Sequence, residues 1–206
     1  SAIISKKIVN LIIKDEFYSY IFLVFFLFYP YLLGHGFYNP KDIPFLFAWL
    51  LCTYISFKIF LKICNDKNIT TFDIFLFSLS TAFLLSIRIT GVLIFIQYII
   101  TFIISLNFSK KYFHEVIKIY FGKIFLFSFA VLLLLIIFYP IFWKNPFLIF
   151  DSIFEAKNIQ YGVCTLTMGK CMDSLDLPAS YIFIWLFFKL PLISLIGFCL
   201  FPFTEK

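Results

Sequence analysis

What this chain can fold into is limited first by its long apolar runs. Residues 17–33, 45–62, 72–106 and 124–139 are almost continuously apolar, and 180–203 repeats the pattern around Lys189 and Pro191. About 20 such residues cross the hydrocarbon of a bilayer as one helix. The chain is 63% hydrophobic and only 14% charged, against roughly half and a quarter for a soluble domain. The reading is an all-α, polytopic transmembrane bundle of about six spans within one domain, 1–206. Phe, Ile, Lys, Asn and Tyr share AT-rich codons, so the 33 phenylalanines are not read as an aromatic binding surface.

In chain order, residues 1–16 carry Lys6, Lys7 and Lys14, with Ile3, Ile4, Ile8, Leu11 and Ile12 at helical spacing. They read as an interfacial helix or the tail of a preceding span. Residues 17–33 cross, the polar stretch Gly34–Pro44 turns, and 45–62 cross back. Two glycines and two prolines there predict a turn that continues neither flanking helix. Residues 72–106 suit two helices joined by a tight hairpin at Ser86–Gly91, because a single helix would bury Arg88 in lipid. Residues 107–123, with Lys110, Lys111, Lys118 and Lys123 among Phe113, Val116, Ile117 and Tyr120, predict an amphipathic helix on an anionic membrane face. Residues 124–139 cross again, and 140–179 form the long polar loop. An interfacial aromatic piece, 181–188, and an incomplete last span follow. Ser1 is not preceded by Met, and the last residues follow directly on an apolar run, so a piece of a longer protein is expected.

Basic residues set topology here, not nucleic-acid binding. Lys6, Lys7, Lys14, Lys58, Lys62, Lys67, Lys110, Lys111, Lys118 and Lys123 fall on one side. Lys41, Arg88, Lys144, Lys157, Lys170 and Lys189 spread over a greater length on the other. The positive-inside rule places the first set in the cytoplasm. The Gly34–Pro44 turn, the Arg88 hairpin and the 140–179 extracytoplasmic loop then share the outer face. Cys52, Cys64 and Cys199 read as small hydrophobes. Cys164 and Cys171 lie in the outer loop, where an oxidising compartment favours a disulfide over two free thiols. A Cys pair at that spacing without His is a poor zinc site, and no divalent metal is indicated.

The outer face collects His35, Asn39, Lys41 and Asp42, then Arg88, then Asp151, Glu155, Asp173 and Asp176. No phosphate loop, Ser-His-Asp set or zinc motif is present. Lys41 and Arg88 beside Asp42 suit an anionic headgroup, such as a lipid-linked phosphate whose tail stays in the bilayer. A blander reading stands beside it: a solvated loop, an exposed Lys41–Asp42 pair and an Arg88 that snorkels to the interface. His35 is as well explained as an ordinary loop histidine. Asp151 and Glu155 suit the outward face of a surface helix.

The run from Tyr29 to Phe45, Tyr-Pro-Tyr-Leu-Leu-Gly-His-Gly-Phe-Tyr-Asn-Pro-Lys-Asp-Ile-Pro-Phe, resembles an outer loop of GT-C type integral-membrane glycosyltransferases. The closest resemblance is to family 39, bacterial relatives of dolichyl-phosphate-mannose–protein mannosyltransferases. Leu84-Leu85-Ser86-Ile87-Arg88-Ile89-Thr90-Gly91, Trp143-Lys144-Asn145-Pro146, and Leu177-Pro178-Ala179-Ser180-Tyr181-Ile182 with Lys189-Leu190-Pro191-Leu192 resemble further segments of that family in the same order. The resemblance implies a hexosyltransferase that moves a sugar from a polyprenyl-phosphate donor to a protein, lipid or glycan acceptor. It implies a bacterial inner membrane and an active extracytoplasmic face. Asp42 would match the acid of the family's second outer loop and is the catalytic candidate within this chain, Lys41 and Arg88 would face the donor phosphate, and His35, Asn39 and Tyr181 would line the site. The family's catalytic acid, in its first outer loop, would lie before Ser1, so this chain alone is expected to be inactive, and Ala179 stands where relatives often carry an aromatic residue. The competing class is a transporter or lipid flippase subunit, which would place ionisable residues or Gly/Pro breaks near mid-bilayer in paired halves. Here polarity gathers at one face instead. A structural subunit would leave the loops free to be any polar sequence.

Overall fold

A computed structural model describes residues 1–65, 67–109, 113–145, 148, 151, 164–167, 169–173 and 176–200. They divide into two compact units, Ser1–Asp151 and Ser152–Lys206, where a single domain is the expectation from sequence.

In the first unit, helix α1 (Ala2–Ile13) stops at Lys14, whose φ of 56° is left-handed. Asp15 then caps α2 (Glu16–Leu27), its carboxylate accepting from the Phe17 N–H at 2.8 Å. The continuous span expected over 17–33 is broken: α2 and α3 (Pro30–Tyr38) meet at a 50° bend around Phe28 and Tyr29. Pro30 is the cause. It cannot donate to a preceding turn, and its fixed φ suits the first position of a new helix.

The turn expected over Gly34–Pro44 is also shorter than predicted. Gly34 and Gly36 lie inside α3, and only Asn39, Pro40 and Lys41 separate it from α4 (Asp42–Cys64). Glycine lowers helix propensity by about 1 kcal/mol relative to alanine, and that cost does not end α3. Pro44 falls in the first turn of α4, where its missing N–H has no intrahelical partner to lose.

Helix α5 (Thr71–Ile87) opens on a capping box, with the Thr70 hydroxyl accepting from the Asp73 N–H and Asp73 accepting from the Thr70 N–H. A 3-10 turn (Ile89–Leu93) leads into α6 (Ile94–Ser109). Helix α7 runs unbroken from Phe113 to Phe138. The amphipathic surface helix expected over 107–123 is therefore not a separate element. Its second half is the start of α7, since no proline interrupts the run and Gly122 alone does not stop it. Lys110 and Lys111 lie outside the described residues. A second 3-10 turn, Pro140–Trp143, ends this stretch.

Helices α4 to α7 form the core. Ile59, Phe60, Ile63, Ile69, Ile74 and Leu106 pack at one end. Ala48, Cys52, Leu84, Ile94 and Tyr98 pack in the middle. Large apolar side chains also cover the outside: Ile99, Phe125 and Phe129 are all exposed. A contiguous apolar exterior of this kind belongs against lipid. By length and composition α4 and α7 can cross a membrane, and the bent α2–α3 pair makes a third if counted as one span.

The second unit holds a feature outside the all-α expectation. Strands β1 (Cys164–Thr167) and β2 (Lys170–Asp173) pair antiparallel, with Thr167 opposite Lys170. Gly169 supplies the positive φ of 80° in their tight turn. Cys164 and Cys171 are bonded across the hairpin with Cα atoms 5.4 Å apart. Helix α8 (Tyr181–Lys189) ends where Leu190 turns extended before Pro191, and α9 (Leu192–Leu200) follows.

Candidate functional site

Two turns, separated by more than forty residues in sequence, meet at one end of the first unit. Asn39 organises the first. Its Oδ1 accepts the backbone N–H of Lys41 and of Asp42, each at 3.2 Å. Its Nδ2 donates to Oδ2 of Asp42. The carboxylate is held from one side, and its other oxygen, Oδ1, accepts from Arg88 Nη1 at 2.7 Å. Such a charge-assisted bond is short and directional.

Arg88 reaches Asp42 because α5 ends on it. Its backbone is extended (φ −150°, ψ 138°), and its carbonyl accepts from the Gly91 N–H at 2.9 Å. Gly91 is buried against α5: a Cβ there would lie 3.1 Å from Leu84 Cγ and 3.2 Å from the Leu84 carbonyl oxygen. Only glycine lets the 3-10 turn fold back this closely. Just past α7, the Tyr139 hydroxyl donates to the Ser86 carbonyl at 2.7 Å, tying a third chain segment to the same turn. Tyr31 of α3 lies within electrostatic reach of Asp42.

The Asp42 and Arg88 side chains keep 33% and 41% of their accessible surface. At that exposure the pair adds about 0–1 kcal/mol to stability, while both partners stay open to a ligand. The remaining predicted residues fall differently. Lys41 is exposed and enters no ion pair among the described residues, and Asp42 pairs with Arg88 instead of the lysine beside it in sequence. His35 lies on α3, but its side chain is outside what the structure describes. Tyr181 begins α8 in the second unit. Asp151 is exposed, and Glu155 lies outside the described residues. Among the described residues no three His, Cys, Asp or Glu side chains are placed to hold a metal ion.

A second polar feature escapes the sequence reading. Through the middle of the bundle, Trp49 Nε1 donates to Gln97 Oε1 at 2.8 Å, and Gln97 Nε2 donates to Thr53 Oγ1 at 2.8 Å. The Thr81 and Tyr98 hydroxyls share a bond of 2.9 Å, beside buried Cys52 and Ser80. Small and hydroxyl-bearing residues let apolar helices approach closely and bond across the interface. The signal was present: Trp49, Cys52, Thr53 and Ser56 recur at helical spacing on α4, opposite Gln97, Tyr98 and Thr101 on α6. Two grooves, of about 620 and 360 Å³, lie toward the other end, around Lys58 and Asp73 and around Lys123.

No protein-family model, curated protein or solved structure matches the chain.

Proposed function

We propose that the chain belongs to a membrane glycosyltransferase, of GT-C type and similar to family 39, that moves a sugar from a polyprenyl-phosphate donor to an acceptor. The observation that supports this is the Asp42–Arg88 bond. It joins the two segments, Tyr29–Phe45 and Leu84–Gly91, on which the family resemblance chiefly rests. This reading takes α2–α3, α4, α5, α6, α7 and α8–α9 as about six spans. It puts the start of α4 and the end of α5 at the extracytoplasmic face of a bacterial inner membrane.

The chemistry follows from charge. A lipid-linked phosphate gains negative charge as the sugar leaves it. A cation held beside it stabilises the transition state more than the bound donor. Arg88 is that cation, and its planar fork offers donors beyond the one used on Asp42. Asp42 is then a positioning residue: Asn39 fixes its carboxylate, and the carboxylate aims the guanidinium. Lys41, exposed beside them, supplies a second positive charge near the phosphate. Binding at a bilayer face lets the donor's apolar tail remain in lipid.

The test is transfer from a labelled polyprenyl-phosphate sugar in membranes carrying the product of the complete gene, normalised to protein level. Arg88→Ala is expected to lower turnover on the order of a hundredfold or more. Arg88→Lys should recover part of it, because the point charge survives and the fork does not. Asp42→Asn should act more weakly and partly through KM. Turnover near wild type in both Arg88→Ala and Asp42→Asn would overturn the proposal.

A further inference from the structure

We propose that the groove beside Lys123 holds one acyl chain of an anionic phospholipid, with the lipid phosphate bonded to the Lys123 ammonium. The groove is about 360 Å³ and is walled by all four core helices. Ile63, Ile74, Phe77, Phe102 and Phe127 form much of its wall. Among the described residues Lys123 is the one charged side chain lining it. Ile99 and Ile124, exposed by 58% and 46%, form part of its rim toward the outside of the bundle.

In a bilayer the surrounding tails are as apolar as the wall, so burial alone supplies no preference. An unfilled groove would still forfeit the dispersion contacts of its lining, and a lipid chain restores them. Which lipid stays is decided at the headgroup. Lys123 Nζ donates to Asn68 Oδ1 at 3.1 Å and to the Ile69 carbonyl at 2.8 Å. An ammonium has three protons, so one remains for an outside acceptor. The two bonds also fix the cation at the mouth, with Tyr120 packed 5.4 Å beneath it. Helix α7 rises about 12 Å from Tyr120 to Ser128 at 1.5 Å per residue, and both ends of that stretch line the groove. The first part of an acyl chain therefore lies along the wall while its phosphate reaches the lysine. Among the described residues no carboxylate lines the groove to oppose an anion. This site lies away from Asp42 and Arg88 and does not depend on the transfer reaction.

The experiment is native mass spectrometry of the detergent-purified full chain, incubated with equal amounts of phosphatidylglycerol and phosphatidylcholine bearing identical chains. One basic residue near a headgroup is expected to give about a fivefold preference for the anionic lipid. Lys123→Gln should bring the two lipids to equal retention, and Lys123→Arg should keep the preference. Ile124→Trp, which fills the rim without touching the buried core, should lower retention of both. Equal retention by the wild type would overturn the proposal. So would a preference that survives Lys123→Gln, or a second copy of the chain covering the groove in place of lipid.

Discussion

Gln97 bridges to α4 twice, and replacing it with leucine isolates what that bridge contributes. Its Oε1 accepts from Trp49 Nε1 and its Nε2 donates to Thr53 Oγ1, both at 2.8 Å. Interhelical hydrogen bonds inside membranes average about 0.6 kcal/mol each and reach about 1.7. Two of them give about 1.2 kcal/mol, with roughly 3.4 as the ceiling. The two ends are not equivalent. Thr53 still donates to the Trp49 carbonyl at 2.9 Å after the change, so its proton keeps a partner. The indole N–H of Trp49 does not, and an orphaned donor costs about 1–3 kcal/mol. Gln97→Leu should therefore destabilise the fold by about 2 kcal/mol. Trp49→Phe removes the orphan, so the double variant should lose less than the sum of the two single changes. The assay is reversible unfolding in mixed micelles across the four proteins of the cycle. Additive losses, or a Gln97→Leu variant as stable as the wild type, would refute the bridge.

Gly91→Ala places a methyl 3.2 Å from a helix carbonyl that cannot move alone, and is expected to cost about 1–3 kcal/mol; a melting temperature equal to wild type would contradict the close approach. Topology is checked by cysteines introduced in a background lacking Cys52, Cys64 and Cys199. A membrane-impermeant thiol reagent should label a cysteine at Asn39 in intact cells and leave one at Asn68 unlabelled, and the reverse pattern would move the candidate site to the cytoplasmic face.

What the sequence made legible is what depends on one residue at a time. Charge in an apolar background marked Asp42 and Arg88, because ionisable groups near lipid are costly wherever they stand. The helix break before Pro30 was legible in principle, yet the apolar run masked it: hydropathy averages over side chains, and proline acts on the backbone. Gly34 and Gly36 misled in the opposite sense. Glycine permits a turn without requiring one, and the residues around it in α3 made the choice. The partner of Asp42 could not be read locally either. Lys41 is its neighbour in sequence, but the separation of α4 and α5 and the fold of the 3-10 turn after Arg88 decide which cation arrives. The seam through Gln97 was hidden for a related reason. Each of its residues is unremarkable alone, and they become a network only when three helices set them face to face.

Two ion pairs among the described residues of the bundle give the membrane frame a physical length. Asp42 meets Arg88 at 2.7 Å where α4 begins and α5 ends. Lys62 meets Asp73 at 2.7 Å where α4 ends and α5 begins. At 1.5 Å per residue the rise along α4 from Asp42 to Lys62 is about 30 Å, which is about the thickness of a bilayer's hydrocarbon core. Both pairs are partly exposed, as charges at the two edges of a membrane need to be. Between them α4 carries one charged residue, Lys58, a turn from the Lys62 end and over the Tyr54 ring at 4.7 Å. α5 carries none after Asp73 until Arg88. An anion that bound at Arg88 would therefore sit at one edge of the hydrocarbon, with an apolar helix surface below it for a tail. Free sugar nucleotides need no such surface, and a polyprenyl-linked donor does.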